Sequence, residues 1–343
     1  MFRAGSRDNR ETMTRILPIL ALAVATAAGG EPARIIFDTD MGNDVDDVIA
    51  LATLHAFETR GEAKILAVTI TKDNRWAAPF VDLLNTYYGR PGIPLGMVRN
   101  GVTPEDGNYL AVVAGKQRPG GALLYPRKVT PETAVPDAQT VLRQTLEAQP
   151  DASVVIVQVG FSTNLARLLD SPADAISPLA GGDLVKHKVR LLVMMAGRFT
   201  DSQLEYNIER DIPAARKLFA GWPTPIVVSP FELGAQTTYP AFRVDRDFRY
   251  VPDHPLADAY RAYQKMPYDE PLWDPTAALY AVWPDAGYFN LSPEGRVSVN
   301  DKGVTTFSAG GGQHRILSAN PEQRARIVEA VAALASQPPE RCR

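Results

Sequence analysis

Five aspartates, Asp38, Asp40, Asp44, Asp46 and Asp47, crowd one short stretch of a 343-residue chain, in the run RIIFDTDMGNDVDDVIAL at 34–51. Carboxylates this dense repel one another in water, and more strongly when partly buried. A helix opening near Asp46 offers about half a positive charge at its N-terminus, too little to offset the group. An oxygen-seeking divalent cation is the economical counter-charge, and calcium best tolerates several carboxylates at irregular spacing. Helix capping and solvated turn charges account for one or two of these residues. They do not account for Asp38 and Asp40 at the end of an apolar strand. An EF-hand is excluded, because no glutamate stands at the twelfth loop position in a helix-loop-helix setting.

Composition narrows the remaining chemistry. Hydrophobic residues make up 45 % of the chain and charged residues 22 %, the values of a folded globular protein rather than a disordered one. The net charge of −3 leaves no electrostatic footprint for nucleic acid. One cysteine, Cys342, and four histidines, none paired at zinc-ligand spacing, exclude a disulfide framework and a cysteine-built metal centre. The 39 acidic residues leave hard oxygen chemistry open.

The elements that would position the aspartates follow from the pattern of apolar residues. Runs rich in β-branched residues at Arg34–Phe37, Lys64–Thr71, Ser153–Val159, Lys188–Met195 and Pro225–Ser229 read as strands buried on both faces. Helical periodicity marks Asp46–Glu58, Ala77–Tyr88, Asp137–Ala148, Thr163–Leu169 and Ile212–Ala220. The alternation predicts one large α/β domain over residues 31–343, with a mostly parallel, doubly wound central sheet. A late β-hairpin at Arg296–Phe307, turning at Asn300–Gly303, and a closing helix at Pro321–Ser336 complete it. Val98–Pro136 and Pro230–Pro255 read as long loops, and Met194-Met195 as core. Ligands of such sheets bind outside the carboxyl ends of the strands. Asp38, Lys72–Asn74 and Val159–Gly160 all fall there.

With these elements in place, the sequence resembles the inosine-uridine-preferring nucleoside hydrolase family over roughly residues 33 to 335. Asp38-Thr39-Asp40 through Asp46-Asp47 resembles its Asp-x-Asp-x-x-x-Asp-Asp turn, with two extra residues that bring in Asp44. Gln158–Leu165 resembles its strand end followed by Gly-x-x-Thr-Asn, Glu205-Tyr206-Asn207 its Glu-x-Asn ribose motif, and Trp273-Asp274 its late His-Asp pair. The resemblance implies hydrolysis of the N-glycosidic bond of a ribonucleoside to ribose and free base. Calcium would be held by Asp40, Asp47, Asp274 and the Val159 carbonyl, with Asp40 also the general base toward the metal-bound water. Asp46 would bind the 2′-hydroxyl, Asn207 the 3′-hydroxyl and Glu205 the 5′-hydroxyl, with Asp274 also facing the sugar and Asp38 orienting Asp40 from behind. Lys72, Asp73 and Asn74 stand where the family often has a ribose-contacting asparagine. Asn74 matches by residue type, and the choice among the three stays open.

The departure is Trp273, where many members have a histidine suited to protonating the leaving base. Tryptophan supplies no acid proton, so stacking on Trp273 would favour purines slightly; ordinary packing is the alternative role. His254 and His314 are remaining acid candidates, His55 reads as packing, and Thr163 and Asn164 read as caps of their helix. Gly310-Gly311-Gly312 lacks the strand-to-helix setting of a phosphate cradle. Two other functions fit parts of the pattern: an exported nucleoside- or sugar-binding protein without catalysis, and an aspartyl phosphatase of haloacid-dehalogenase type. The phosphatase reading leaves the Asp44–Asp47 run unexplained.

Near the N-terminus, the apolar run Ile16–Ala28 follows four arginines and ends in small residues, with an Ala25-Thr26-Ala27 site. Residues 1–30 therefore read as a secretory signal peptide, or else as a disordered extension. The run is shorter than the ~20 residues that span a bilayer. A periplasmic or secreted protein without a membrane span follows as an expectation. The expected partner is a small nucleoside, and assembly into a homo-oligomer stays open.

Overall fold

The β-branched runs become the strands of one sheet. β1 (Ala33–Thr39), β2 (Ala63–Lys72), β3 (Leu95–Val102), β4 (Val154–Gln158), β5 (Val189–Met195) and β6 (Ile226–Ser229) are parallel, in the order β3-β2-β1-β4-β5-β6. β7 (Thr238–Tyr239) and β8 (Glu270–Pro271) form a separate two-stranded pair. β9 (Asn290–Leu291), β10 (Gly295–Val299), β11 (Thr305–Ala309) and β12 (His314–Ser318) extend the main sheet beyond β6. β10 and β11 are the expected antiparallel hairpin, turning at Asn300 and Gly303. This computed structural model describes residues 1–2 and 31–339, and Glu31–Arg343 forms one compact unit. The leader read at Ile16–Ala28 lies outside the described residues.

Alternate side chains of each central strand enter opposite layers, as a pleated strand requires. Ile35, Phe37, Val155 and Val157 belong to one buried apolar cluster; Ile36, Val154 and Ile156 belong to the other. The helices supply the covering layers. They are α1 (Asp46–Thr59), α2 (Ala77–Tyr87), α3 (Leu110–Ala114), α4 (Ala138–Glu147), α5 (Thr163–Asp170), α6 (Gly181–Lys188), α7 (Tyr206–Arg210) and α8 (Ile212–Gly221). Later in the chain come α9 (Phe231–Ala235), α10 (Ala241–Asp247), α11 (Pro255–Tyr263), α12 (Trp273–Val282) and α13 (Pro321–Ala335). A capping box between Asn320 and Gln323 starts α13 where the sequence predicts it.

The structure corrects the reading of two long loops. Val98–Pro136 contains the end of β3 and the short helix α3, and Pro230–Pro255 contains α9 and α10. Elements of five to seven residues among glycines and prolines leave too little periodicity to register. α12 escapes for the opposite reason. It is buried on nearly every side, so no polar face reveals its pitch.

The strand order reverses between β1 and β4, whose carboxyl ends therefore bound a crevice. Gly160 lets these ends meet. A Cβ there would lie 2.3 Å from Thr71 Oγ1, 2.6 Å from the Asp40 nitrogen and 2.8 Å from the Thr39 carbonyl carbon. Two of those atoms are backbone and cannot swing aside. Gly160→Ala is expected to destabilise the protein by about 1–3 kcal/mol, read as a lowered urea midpoint with an unchanged slope.

Candidate metal and substrate site

The end of β1 presents Asp38 and Asp40 at this crevice. Asp38 is fully buried; its Oδ1 accepts from Thr69 Oγ1 at 2.5 Å and from Asn164 Nδ2 at 2.9 Å. Its peptide carbonyl accepts from the Val159 nitrogen at 2.7 Å. Asp38 thus ties β1, β2, the end of β4 and α5 together, and burial pushes its carboxyl up to about 7. Asn164 is a partner of Asp38 rather than the expected cap. Thr163 likewise turns its hydroxyl to Asp211 at 2.5 Å, and the cap position is Ser162.

Asp40 is oriented from another direction. Asn43 Nδ2 donates to Asp40 Oδ2 at 2.6 Å, and the buried Lys72 ammonium donates to Asn43 Oδ1 at 2.7 Å. Burial, followed by repulsion from Asp44, pushes Asp40 up to about 8. Lys72 itself is held below the usual lysine range, chiefly by burial. Asn74 lies elsewhere: its amide donates to the Pro104 carbonyl and to Asp106, and its oxygen accepts from the Trp76 nitrogen. It shapes the loop after β3 and is not on the cavity wall, while Asp73 accepts from the Gly101 nitrogen.

Two helix N-termini converge on the remaining carboxylates. α1 begins at Asp46 and α12 at Trp273, and the Asp274 N–H donates to Asp46 Oδ2 at 2.8 Å. Asp46 thereby caps the other helix across the gap, joining positions 228 residues apart. Thr39 Oγ1 donates to Asp47 Oδ1. One carboxylate oxygen from each of Asp44, Asp46, Asp47 and Asp274 lies within 4.8 Å of all the others. Burial first, and then repulsion from neighbouring carboxylates that include Asp44, holds Asp46, Asp47 and Asp274 well above the ordinary carboxylate range.

This arrangement fits a cation. Asp46 Oδ1 and Asp47 Oδ2 are buried without a hydrogen-bond partner among the described residues, a costly state for a carboxylate unless an ion meets it. The donors are all oxygen, which selects a hard ion.

A cavity of about 90 Å³ opens beside the cluster, lined by Asp40, Asp44, Val159, Asp274, Glu205, Asn207, Met195 and aromatic residues. Glu205 caps α7, its oxygens accepting from the nitrogens of Gly197, Asn207 and Ile208 at 2.9, 2.8 and 3.2 Å. Burial nevertheless lifts it to about 7. Asn207 Nδ2 donates to the carbonyls of Val159 at 2.8 Å and Met195 at 3.2 Å, leaving its oxygen free of that pair. The expected core residue Met195 is thus also cavity wall. Trp273 lines the cavity and packs as well: its ring stacks on Phe231 at 5.5 Å, and its indole N–H donates to the Phe231 carbonyl at 3.1 Å.

No histidine among the described residues lines this cavity. His254 lies among Tyr87, Phe248 and Tyr250 and accepts from the Leu256 nitrogen, and burial drives it down to about 3. His314 begins β12 opposite Ile226, at the amino end of β6 and so across the sheet from the crevice. Both are thereby removed as acid candidates. His55, as expected, packs, stacked on Tyr88 at 4.7 Å.

Several participants carried no sequence signal. Tyr109, in the Gly- and Pro-rich loop, donates its hydroxyl to the Asp44 carbonyl at 2.7 Å. Glu270 on β8 is buried and pushed up to about 8, by burial and then by Asp44. Phe231 follows a proline in a segment read as loop.

Fold and site together define an α/β protein with a carboxylate centre at the sheet's reversal point, able to hold a metal ion beside a small cavity. The family model for inosine-uridine preferring nucleoside hydrolase matches residues 35–335, and the chain belongs to that family of hydrolases acting on N-glycosyl compounds. Among solved structures it is similar to a plant nucleoside hydrolase, at 20 % identity and TM-score 0.67 over 90 % of this chain and 100 % of that one. It is also similar to a purine-preferring ribonucleoside hydrolase from Gardnerella vaginalis, at 18 % and 0.64 over 88 % and 99 %. An inosine-uridine preferring nucleoside hydrolase from Bacillus anthracis gives 17 % and 0.67 over 88 % and 99 %. At these identities the likeness carries the fold. No curated protein sequence matches the chain. Family membership sets aside the phosphatase reading. No helix among the described residues is long and apolar enough to cross a membrane.

Proposed function

We propose that the protein hydrolyses ribonucleosides, purine nucleosides in preference, to ribose and free base with the help of calcium. The observation that carries this reading is the meeting of Asp46, Asp47 and Asp274 from two helix N-termini beside a cavity lined by Asp40, Asn207 and Asp274 itself. Asp47, Asp274, Asp40 and the Val159 carbonyl would hold the ion. A set so rich in carboxylates suits calcium better than magnesium, which keeps most of its water and takes one or two carboxylates. Calcium, when bound, would orient the sugar diol and make a neighbouring water more acidic.

Asp40 acts as general base, taking the proton from the attacking water on the oxygen that Asn43 does not occupy. Asp46 accepts from the 2′-hydroxyl, the Asn207 amide oxygen from the 3′-hydroxyl, and Glu205 meets the 5′-hydroxyl. The surrounding carboxylates stabilise the positive charge that develops on the sugar. Trp273 and Phe231 present an aromatic wall to a base that no histidine protonates, and the larger purine ring gains more from such a wall. Export belongs to the same reading, supported by the arginine-flanked apolar run before residue 30.

The test is base release from inosine, adenosine, guanosine, uridine and cytidine, with and without calcium chelation. Release from purine nucleosides that chelation abolishes is expected; no release from any of the five overturns the proposal and leaves a binding protein. A second prediction concerns Lys72, whose charge lowers the Asp40 carboxyl. Lys72→Met removes that help, so Asp40 ionises at higher pH. The acid limb of the pH–rate profile is expected to move upward by up to about one unit; an unmoved limb would separate Lys72 from Asp40.

A further inference from the structure

A purine departs slowly as an anion unless a proton or a hydrogen bond meets one of its ring nitrogens. Apart from carboxyls, the cavity wall among the described residues holds three side chains with an N–H or O–H: Trp273, Asn207 and Tyr206. Two of them are engaged. The Trp273 indole donates to the Phe231 carbonyl at 3.1 Å, and the Asn207 amide donates to the Val159 and Met195 carbonyls at 2.8 and 3.2 Å. The Tyr206 hydroxyl has no hydrogen-bond partner among the described residues. The carboxyls serve as acceptors: both Glu205 oxygens receive backbone N–H groups, and a carboxylate that meets a dication does so deprotonated.

Local structure holds the phenol at this wall. Tyr206 opens α7, between Glu205, which caps the helix, and Asn207. Its ring packs on Phe161 at 5.9 Å, and the Arg210 guanidinium, one turn on, lies 4.5 Å from the ring centre. Burial holds the hydroxyl above the ordinary tyrosine range; Arg210 opposes that shift and Asp40 adds to it. The proton therefore stays in place at neutral pH. At 38 % exposure the residue also remains within reach of water.

We propose that Tyr206 is a catalytic residue for the leaving base, its hydroxyl donating to a lone-pair nitrogen of the departing purine. This role rests on the nucleoside-hydrolase reading and fills the place that Trp273 leaves without an acid. As the bond between C1′ and the purine nitrogen breaks, its electron pair enters the ring and the phenol proton passes to a ring nitrogen. The water oxygen bonds to C1′, and the water proton goes to Asp40. Solvent takes that proton from Asp40 and returns one to the phenolate, so water is the sole co-reactant.

The experiment compares inosine with p-nitrophenyl β-D-ribofuranoside, whose nitrophenolate departs without a proton, on the full chain with calcium. Tyr206→Phe keeps the ring and removes the donor. It is expected to lower kcat for inosine about 10²-fold and to leave the nitrophenyl riboside within about threefold of wild type. Equal losses on both substrates place Tyr206 at the sugar or in the fold and overturn the inference, as does unchanged turnover of inosine. A wild type that releases nitrophenolate but no base from inosine overturns it too, with the sugar chemistry intact. A wild type that releases neither overturns the hydrolase reading, and the role of Tyr206 with it. Tyr206→Leu, likewise without a donor, is read on the same two substrates if Tyr206→Phe fails to fold.

Discussion

Asp40→Asn is expected to lower kcat for base release by about 10²–10⁴-fold, the range associated with removing a positioned general base. The substitution keeps the shape of the side chain and an acceptor for the Asn43 amide, whose bond to Asp40 is 2.6 Å in the native protein. It also takes one negative charge from a crowded, buried group that burial already pushes up to about 8. The variant should therefore fold as the wild type does, with a melting temperature equal or higher when stripped of metal. Loss of turnover with retained folding is the signature of a chemical role. A kcat within threefold of wild type would move the proton acceptor to another carboxylate of the cavity. A variant that fails to fold would instead assign Asp40 to the architecture of the turn.

Removal of divalent metal is expected to abolish turnover and to make stability fall as pH rises. The sign follows from the carboxyls. Asp38 and Glu205 are raised to about 7 and Asp40 to about 8, with burial the largest cause in each case. A carboxyl whose folded value is raised binds its proton more tightly in the native state than in the unfolded chain. Its contribution to stability is complete below the unfolded value near 4 and is lost as pH rises through 7 to 8. The metal-free protein should accordingly melt higher at pH 5 than at pH 8. Saturating calcium should remove that slope, because the ion binds the deprotonated form. At a free ion concentration 1,000 times its dissociation constant, binding adds about 4 kcal/mol. Thermal scans at pH 5 and 8, with calcium and with chelator, check both halves. A metal-free protein more stable at pH 8 would contradict the buried-carboxylate account of this site.

Much of this molecule is legible from the linear chain because its strands are central. Buried on both faces, β1, β2, β4, β5 and β6 appear as unbroken apolar runs, and their boundaries in the structure lie within a residue or two of those expected. Helices α4, α5 and α8 carry amphipathic periodicity. Elements without contrast escape: α12 is apolar all round, and α3, α9 and α10 are too short to show a period. The same distinction governs the site. Asp38 through Asp47 stand together in sequence, so their repulsion can be read without coordinates, as can the oxygen character of any ion they hold. That Trp273 stands where a histidine would protonate the leaving base is also read from the sequence, whereas the burial of His254 and the far-side position of His314 emerge only in the structure.

Side-chain partnership is what the linear order conceals. Asn164 reads as a helix cap yet bonds Asp38 from 126 residues away; Asn74 reads as a sugar contact yet ties down the loop after β3. Tyr109 and Phe231 come from segments with no pattern, yet one bonds the Asp44 carbonyl and the other lines the cavity. The aspartate motif itself states that negative charge must be gathered and compensated, since carboxylates eight or nine residues apart in a turn have nowhere else to go. Which oxygens face one another is a different matter. That is decided where α12 brings Asp274 against Asp46 and where Gly42, Gly107 and Tyr109 clamp the turn. Charge density is a property of the sequence, but the direction of a carboxylate depends on packing between elements hundreds of residues apart.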